Sequence, residues 1–268
     1  MICDFHAHLY EEPGYADALA ETARTLGIEK MCIGGGEARY GMASNETALE
    51  QSERYPDLFV PFALVRLGLD GPSEVTRLSE MGFRGLRVMA PPAPYDDERL
   101  FPVYEAAQAL DLPILFHTGI LPPTPLDRAF DVRADRSRPI HLDTLAREFP
   151  TLGIVGCGLG WPWYEEAAEV LGLHANVHFD LSGVTLHKKG PDFFAALLGA
   201  APATLLGRPQ SGAACRRLLF GTGARPERMA DIECEYERLF RAMALGGDAI
   251  DEIMGGAAAR MLGLAQED

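Results

Sequence analysis

The sequence predicts a single closed (β/α)8 barrel, a TIM barrel, spanning residues 1–268. Eight short apolar runs with strand character alternate with segments of helical periodicity, as in a barrel of parallel strands joined by crossover helices. The first strand ends in histidines, whereas a doubly wound open sheet would normally follow it with a phosphate-binding glycine loop. His8 and His117 both fall at the C-terminal ends of strands, where barrels of this class gather their chemistry. No domain boundary, internal repeat or low-complexity segment breaks the alternation.

The elements follow in order. Met1 to Leu9 reads as a buried strand, and Tyr15 to Leu26 as a helix that stops at Gly27. Met31-Cys32-Ile33 is a short strand running into Gly34-Gly35-Gly36. Ser44-Asn45-Glu46-Thr47 carries capping residues that open the second helix. Leu58 to Leu67 is the third strand, Pro72 to Met81 a short helix, and Phe83 to Met89 the fourth strand. A helix from about Glu98 to Leu110 precedes strand five, Pro113 to His117. The Pro- and Arg-rich stretch from Thr118 to Pro139 is a long loop. Strand six (Leu152 to Cys157), a helix (Pro162 to Leu173) and strand seven (Val177 to Leu181) come next. Residues 183–217 hold a helix around Phe193-Phe194 and then Gly/Ala/Pro-rich chain. Arg217 to Gly221 is strand eight, and helices from Pro226 close the sequence.

Composition bounds the function. A net charge of −15 repels nucleic acid and anionic membranes at long range, so neither is expected as a partner. No apolar run reaches membrane-spanning length, and the N-terminus lacks a signal peptide's basic and apolar segments. The five cysteines (3, 32, 157, 215, 234) are odd in number and scattered, which fits a reducing compartment and a cytoplasmic location. A small-molecule substrate is the expected partner, with homo-oligomerisation left open.

The chemistry begins at Asp4-Phe5-His6-Ala7-His8. In a strand, residues i and i+2 share a face, so His6 and His8 are expected to project together, with Asp4 below them. Two imidazoles converging from one strand make a good half-site for a divalent transition metal. Taken alone, a His-x-His is more often a pair of half-buried polar residues. His117, ending strand five, raises the metal reading.

Asp4-x-His6-x-His8, followed by His117-Thr118-Gly119, resembles the amidohydrolase superfamily, specifically its second large family of metal-dependent hydrolases and decarboxylases. Ser44-Asn45-Glu46 to Pro61, Gly82 to Arg87, Ile114 to Gly119, Pro139 to Pro150, and Ile253-Met254-Gly255-Gly256 to Leu264 extend the resemblance through most of the chain. It implies one divalent metal, Zn²⁺ first and Mn²⁺ or Fe²⁺ after it, held by His6, His8, His117 and a strand-eight aspartate. It further implies a strand-six histidine that polarises substrate. Here those last two positions fall on Gly223 and Gly158, and a common asparagine near the C-terminus is Ala257. A two-metal site would need a strand-four lysine, where the chain offers only Arg84 and Arg87. The catalytic residues therefore stay unassigned, and a wide, wet metal site is expected around the two glycines.

Among the remaining residues, Arg87 lies on a strand and is expected to reach the interior. Arg87, Arg133 and Trp161 are the candidate substrate contacts. For the Asp127–Arg138 loop, mutual ion pairing is the slightly favoured alternative, and for Trp161 packing under the mouth is equally favoured. Cys157 reads as a buried structural cysteine, Asp180 as a residue that need not touch metal, and His187 as an exposed loop histidine. The functional expectation is a metal-dependent hydrolase acting on a small anionic organic molecule. The alternatives are a carbon–carbon lyase (decarboxylase) or a decayed barrel that binds small molecules.

Overall fold

The computed structural model describes residues 1–183, 185–199 and 215–264. The Gly/Ala/Pro-rich stretch 200–214, position 184 and residues 265–268 lie outside the described residues. Eight parallel strands run in chain order, β1 Cys3–His8, β2 Lys30–Gly34, β3 Phe59–Leu64, β4 Gly85–Val88, β5 Ile114–Phe116, β6 Ile154–Gly156, β7 Val177–Asp180 and β8 Leu218–Leu219. Phe5 N–H donates to the Phe220 carbonyl at 2.9 Å, and Gly223 N–H to the His6 carbonyl at 2.7 Å. These bonds bring the last strand back to the first, and the (β/α)8 barrel is the observed fold.

The helices are α1 Tyr15–Thr25, α2 Asn45–Arg54, α3 Pro72–Glu80, α4 Phe101–Ala109, α5 His141–Glu148, α6 Tyr164–Leu173, α7 Thr185–Lys189, α8 Pro191–Gly199, α9 Pro226–Ala242, α10 Gly247–Asp251 and α11 Ala257–Leu262. Ser44 caps α2 through Thr47 N–H, as its residue type predicts. Pro72 and Pro226 stand at the first helical position, where a missing N–H costs nothing. No described helix is long and apolar enough to cross a membrane.

Two apolar clusters follow from strand alternation. The larger joins the outward faces of the strands to the helices, with Met31, Ala63, Leu86, Ile114, Ile154 and Phe179. The smaller fills the barrel from below with Phe5, Val60, Phe62, Leu115, Val155 and Leu219. Phe5 and Phe62 meet edge-to-face at 5.3 Å. This packed floor leaves the polar side chains to the mouth above it.

One irregularity matters for the site. β1 pairs Asp4 with Met31 but Ala7 with Ile33, so β1 spends one residue more than β2 over that interval, as in a β-bulge. Phe5 packs inside the barrel and Ala7 in the outer layer, although unbroken alternation would put them on one face. The expectation that Asp4 lies beneath the histidines on their own face is therefore corrected. Its carboxylate ties β1 to the end of β8, accepting from Thr222 N–H at 3.0 Å and Thr222 Oγ–H at 2.7 Å. Burial raises its pKa to about 6 against these hydrogen bonds.

Candidate active site at the barrel mouth

Four side chains form a buried chain across the mouth. Asp180, ending β7, lies with Oδ2 2.8 Å from His6 Nδ1. His6 Nε2 lies 3.2 Å from Arg87 Nη2, and the same Nη2 lies 2.9 Å from His8 Nδ1. The two imidazoles stand edge-to-face, 4.7 Å between centroids. Asp180 Oδ1 also accepts from Gly158 N–H at 2.6 Å and Ser182 N–H at 2.9 Å. Burial works to raise the Asp180 pKa, but the His6 ring and these donors outweigh it and hold the carboxyl below its usual range. Asp180 is thus an acceptor, which assigns the His6 proton to Nδ1 and leaves the Nε2 lone pair to accept from Arg87. Ser182 Oγ lies 3.0 Å from the same Nδ1.

Arg87 fills the middle of this chain. It is 8% exposed, and its Nη1 donates to the carbonyls of Gly34 at 2.7 Å and Ala7 at 3.2 Å. Burial lowers its pKa, yet a guanidinium stays charged at any physiological pH. His8 is held well below its ordinary pKa by burial and then by Arg87, and so is neutral. His117 follows β5; its N–H donates to the Val88 carbonyl and its carbonyl accepts from Tyr95 Oη–H. Burial, with His6 and Arg87 nearby, lowers its pKa to about 4. Its Nε2 is buried without a hydrogen-bond partner.

The donor set can be tested against the expected metal. Zn²⁺ takes imidazole nitrogens at about 2.0–2.1 Å, which requires them to lie within about 4 Å of one another. Among the described residues, one group of three potential ligands has atoms all within 4.8 Å of each other, namely His6, Cys157 and Asp180. Neither His8 nor His117 belongs to it, and within it His6 Nδ1 already bonds Asp180. The two expected ligands on β1 present lone pairs to a guanidinium. A like-charge pair at 4 Å costs about 4 kcal/mol even at an effective dielectric of 20, and a divalent ion doubles the charge product. With Arg87 in place, the arrangement does not fit a mononuclear divalent ion.

The two glycines do not leave the open, wet space expected of them. Gly223 has φ +51°, and a Cβ there would stand 2.8 Å from Ser182 Cβ. Gly158 has φ +61°, and its Cβ would meet Thr185 Oγ1 at 3.2 Å. The segment after β7 has moved into both positions: Ser182 reaches His6, and Thr185 Oγ–H donates to the Gly158 carbonyl at 2.8 Å. Space vacated by two side chains is filled from a neighbouring loop.

The other expected residues disperse. Arg133 Nε pairs with Asp131 at 2.9 Å on the exposed loop after β5. Trp161 packs against the outer core, with the Lys188 ammonium 3.2 Å from its ring centroid. His187 is exposed beside Glu235, and Cys157 is buried, with its thiol pKa pushed well up by burial and then by Asp180. Arg39, which the sequence did not single out, lines a cavity of about 750 Å³ beyond β2 and β3 with Phe130, Glu46 and the ion pairs Arg66–Asp70 and Arg77–Glu74. Its side chain is 4% exposed, and Nη2 pairs with Glu37 at 2.7 Å. Nε and Nη1 are buried without partners. Phe130 stacks over it at 4.4 Å. The only sequence hint was an arginine shortly after a glycine run at a strand end.

Comparison with known proteins agrees with this architecture. An uncharacterized TIM-barrel protein from Bordetella bronchiseptica superposes with a TM-score of 0.72 at 21% identity, covering 98% of both chains. A probable 2-pyrone-4,6-dicarboxylic acid hydrolase from Acinetobacter baumannii, solved with citric acid bound, gives 0.64 at 13% identity, over 98% of this chain and 99% of its own. A dihydroxybenzoic acid decarboxylase from Polaromonas sp., solved with manganese and an inhibitor, gives 0.60 at 19% identity, over 99% and 98%. At these identities the likeness shows the fold. No curated protein matches the sequence. The Amidohydrolase family model matches residues 3–264, and the chain belongs to that family.

Proposed function

We propose that this barrel is an enzyme of hydrolase or decarboxylase type whose substrate is a small organic carboxylate held in the cavity beyond β2 and β3. The observation that carries it is Arg39. In a chain of net charge −15, it keeps two buried guanidinium nitrogens, Nε and Nη1, without partners beside a cavity of about 750 Å³. Nε–H and Nη1–H point to opposite sides of the guanidinium, so a bound carboxylate would accept from one of them, as a charge-assisted hydrogen bond. The Amidohydrolase match and the hydrolase and decarboxylase with the same fold support the reaction classes. The exposed, acid-paired Arg133 and the Lys188-capped Trp161 take no part in this reading.

Two further readings have specific support. Gly158 and Gly223 stand where the resemblance implies a substrate-polarising histidine and a proton-shuttling aspartate, which favours a barrel that binds without turnover. The buried, unpartnered Nε2 of His117 favours the Zn²⁺ expected from the sequence, although such an ion would compete with Arg87 for His6 and His8. The deciding experiment titrates citrate and aromatic mono- and dicarboxylates into EDTA-treated protein, then assays decarboxylation and ring or amide hydrolysis. Arg39→Gln should weaken binding about tenfold or more, the worth of a charge-assisted hydrogen bond. Unchanged affinity in that variant would remove the reading, and binding with no turnover would favour the decayed barrel.

A further inference from the structure

We propose that Arg87 is this barrel's resident cation, occupying by covalent attachment the role that a bound divalent ion has in a metal-loaded member of the family. The inference rests on reading this mouth as the functional site. Arg87 makes one guanidinium nitrogen the meeting point of two imidazole lone pairs, His6 Nε2 at 3.2 Å and His8 Nδ1 at 2.9 Å. Its other terminal nitrogen is held by two backbone carbonyls. Its hydrogen-bond partners therefore include no carboxylate, and the nearest carboxylate in the chain of contacts is Asp180, on the far side of the His6 ring. Placing a positive charge at the meeting point of imidazole lone pairs is what a metal site does.

The backbone is shaped to admit this side chain. A Cβ at Gly34, the end of β2, would stand 2.4 Å from Arg87 Cδ and 2.9 Å from Nη1. Arg87 can cross the mouth because that strand ends in glycine. The replaced functions also go together. With a guanidinium in the centre there is no ion to need the strand-eight carboxylate as its fourth ligand, and the segment after β7 closes over Gly223 and Gly158. A guanidinium cannot ligate water or lower its pKa as a metal does. It can stabilise negative charge that develops in a dry site. With its four terminal N–H groups committed to His6, His8, Ala7 and Gly34, Arg87 is a positioning and electrostatic residue, not the substrate clamp anticipated from the sequence.

Metal binding tests this directly. Wild-type protein, stripped with EDTA and then dialysed against Zn²⁺ or Co²⁺, is expected to retain well under one ion per chain by elemental analysis. It should also show no imidazole–cobalt absorption and no change in melting temperature. Arg87→Met frees both lone pairs; it is expected to bind Co²⁺ with a visible spectrum and to gain thermal stability on adding Zn²⁺. Should that variant not fold, nitrogen-15 spectra of the wild-type histidines, recorded with and without Zn²⁺, decide alone. Unmoved His6 and His8 resonances support the proposal. One ion per wild-type chain, lost in His6→Ala, overturns it. Carboxylate binding by EDTA-treated protein is a separate readout, so the metal result can fail while that reading stands, and the reverse.

Discussion

His6 Nδ1 and Asp180 Oδ2 lie 2.8 Å apart, and this bond, with the donor-only Arg87 guanidinium on the other side of the ring, orients the His6 imidazole across the mouth. It fixes the His6 tautomer, turns the Nε2 lone pair toward Arg87, and links two strands at opposite ends of the sequence. Replacing Asp180 by Asn should cost about 1.5–3 kcal/mol in urea unfolding, because the hydrogen bonds from His6, Gly158 and Ser182 lose their charged acceptor. A cost below about 1 kcal/mol, the worth of an exposed ion pair, would show that the carboxylate does not organise the site.

Gly34→Ala should push Arg87 out of its path and cost about 1–3 kcal/mol through overpacking. In an Arg87→Ala background the same substitution should cost little. The coupling in that double-mutant cycle is the measurement. Additive penalties would mean that Gly34 is needed for some other reason.

Gly223→Asp, which puts a carboxylate where the resemblance implies a metal ligand, is expected to destabilise by about 1–3 kcal/mol without gaining an ion. Its backbone sits at φ +51° and its Cβ would fall 2.8 Å from Ser182 Cβ. Adding Ser182→Gly should recover the steric part of the loss. A Gly223→Asp protein as stable as wild type and loaded with zinc would refute this account of the glycine.

His178 offers a pH test away from the mouth. Burial and then Arg217 lower its pKa from 6.5 to about 4, and its Nδ1 is buried without a partner. The folded state thus favours the neutral ring. Its contribution, about 3 kcal/mol at most, is fully present above pH 6.5 and is lost as pH falls toward 4. His178→Leu should flatten the fall in stability between those values, as followed by denaturant midpoints. An unchanged pH slope in the variant would assign the acid sensitivity to other groups.

The sequence by itself determined the barrel, because alternating strand and helix periods are local properties that neighbouring residues encode. It also placed His8 and His117 at strand ends and Arg87 toward the interior, since position along a strand decides that much. Cys157 as a buried cysteine was legible for the same local reason. Tertiary structure decided the rest. A bulge in β1 turned Asp4 onto the β8 seam, and a bulge depends on pairing with β2. Asp180 became the partner of His6 across 174 residues. Ser182 and Thr185 filled the room at Gly223 and Gly158, and Arg39 was left with two unpartnered nitrogens beside a cavity. Whether two imidazoles face an ion or an arginine depends on what a third strand sends between them, and only the closed barrel brings β1, β2 and β4 together to settle it.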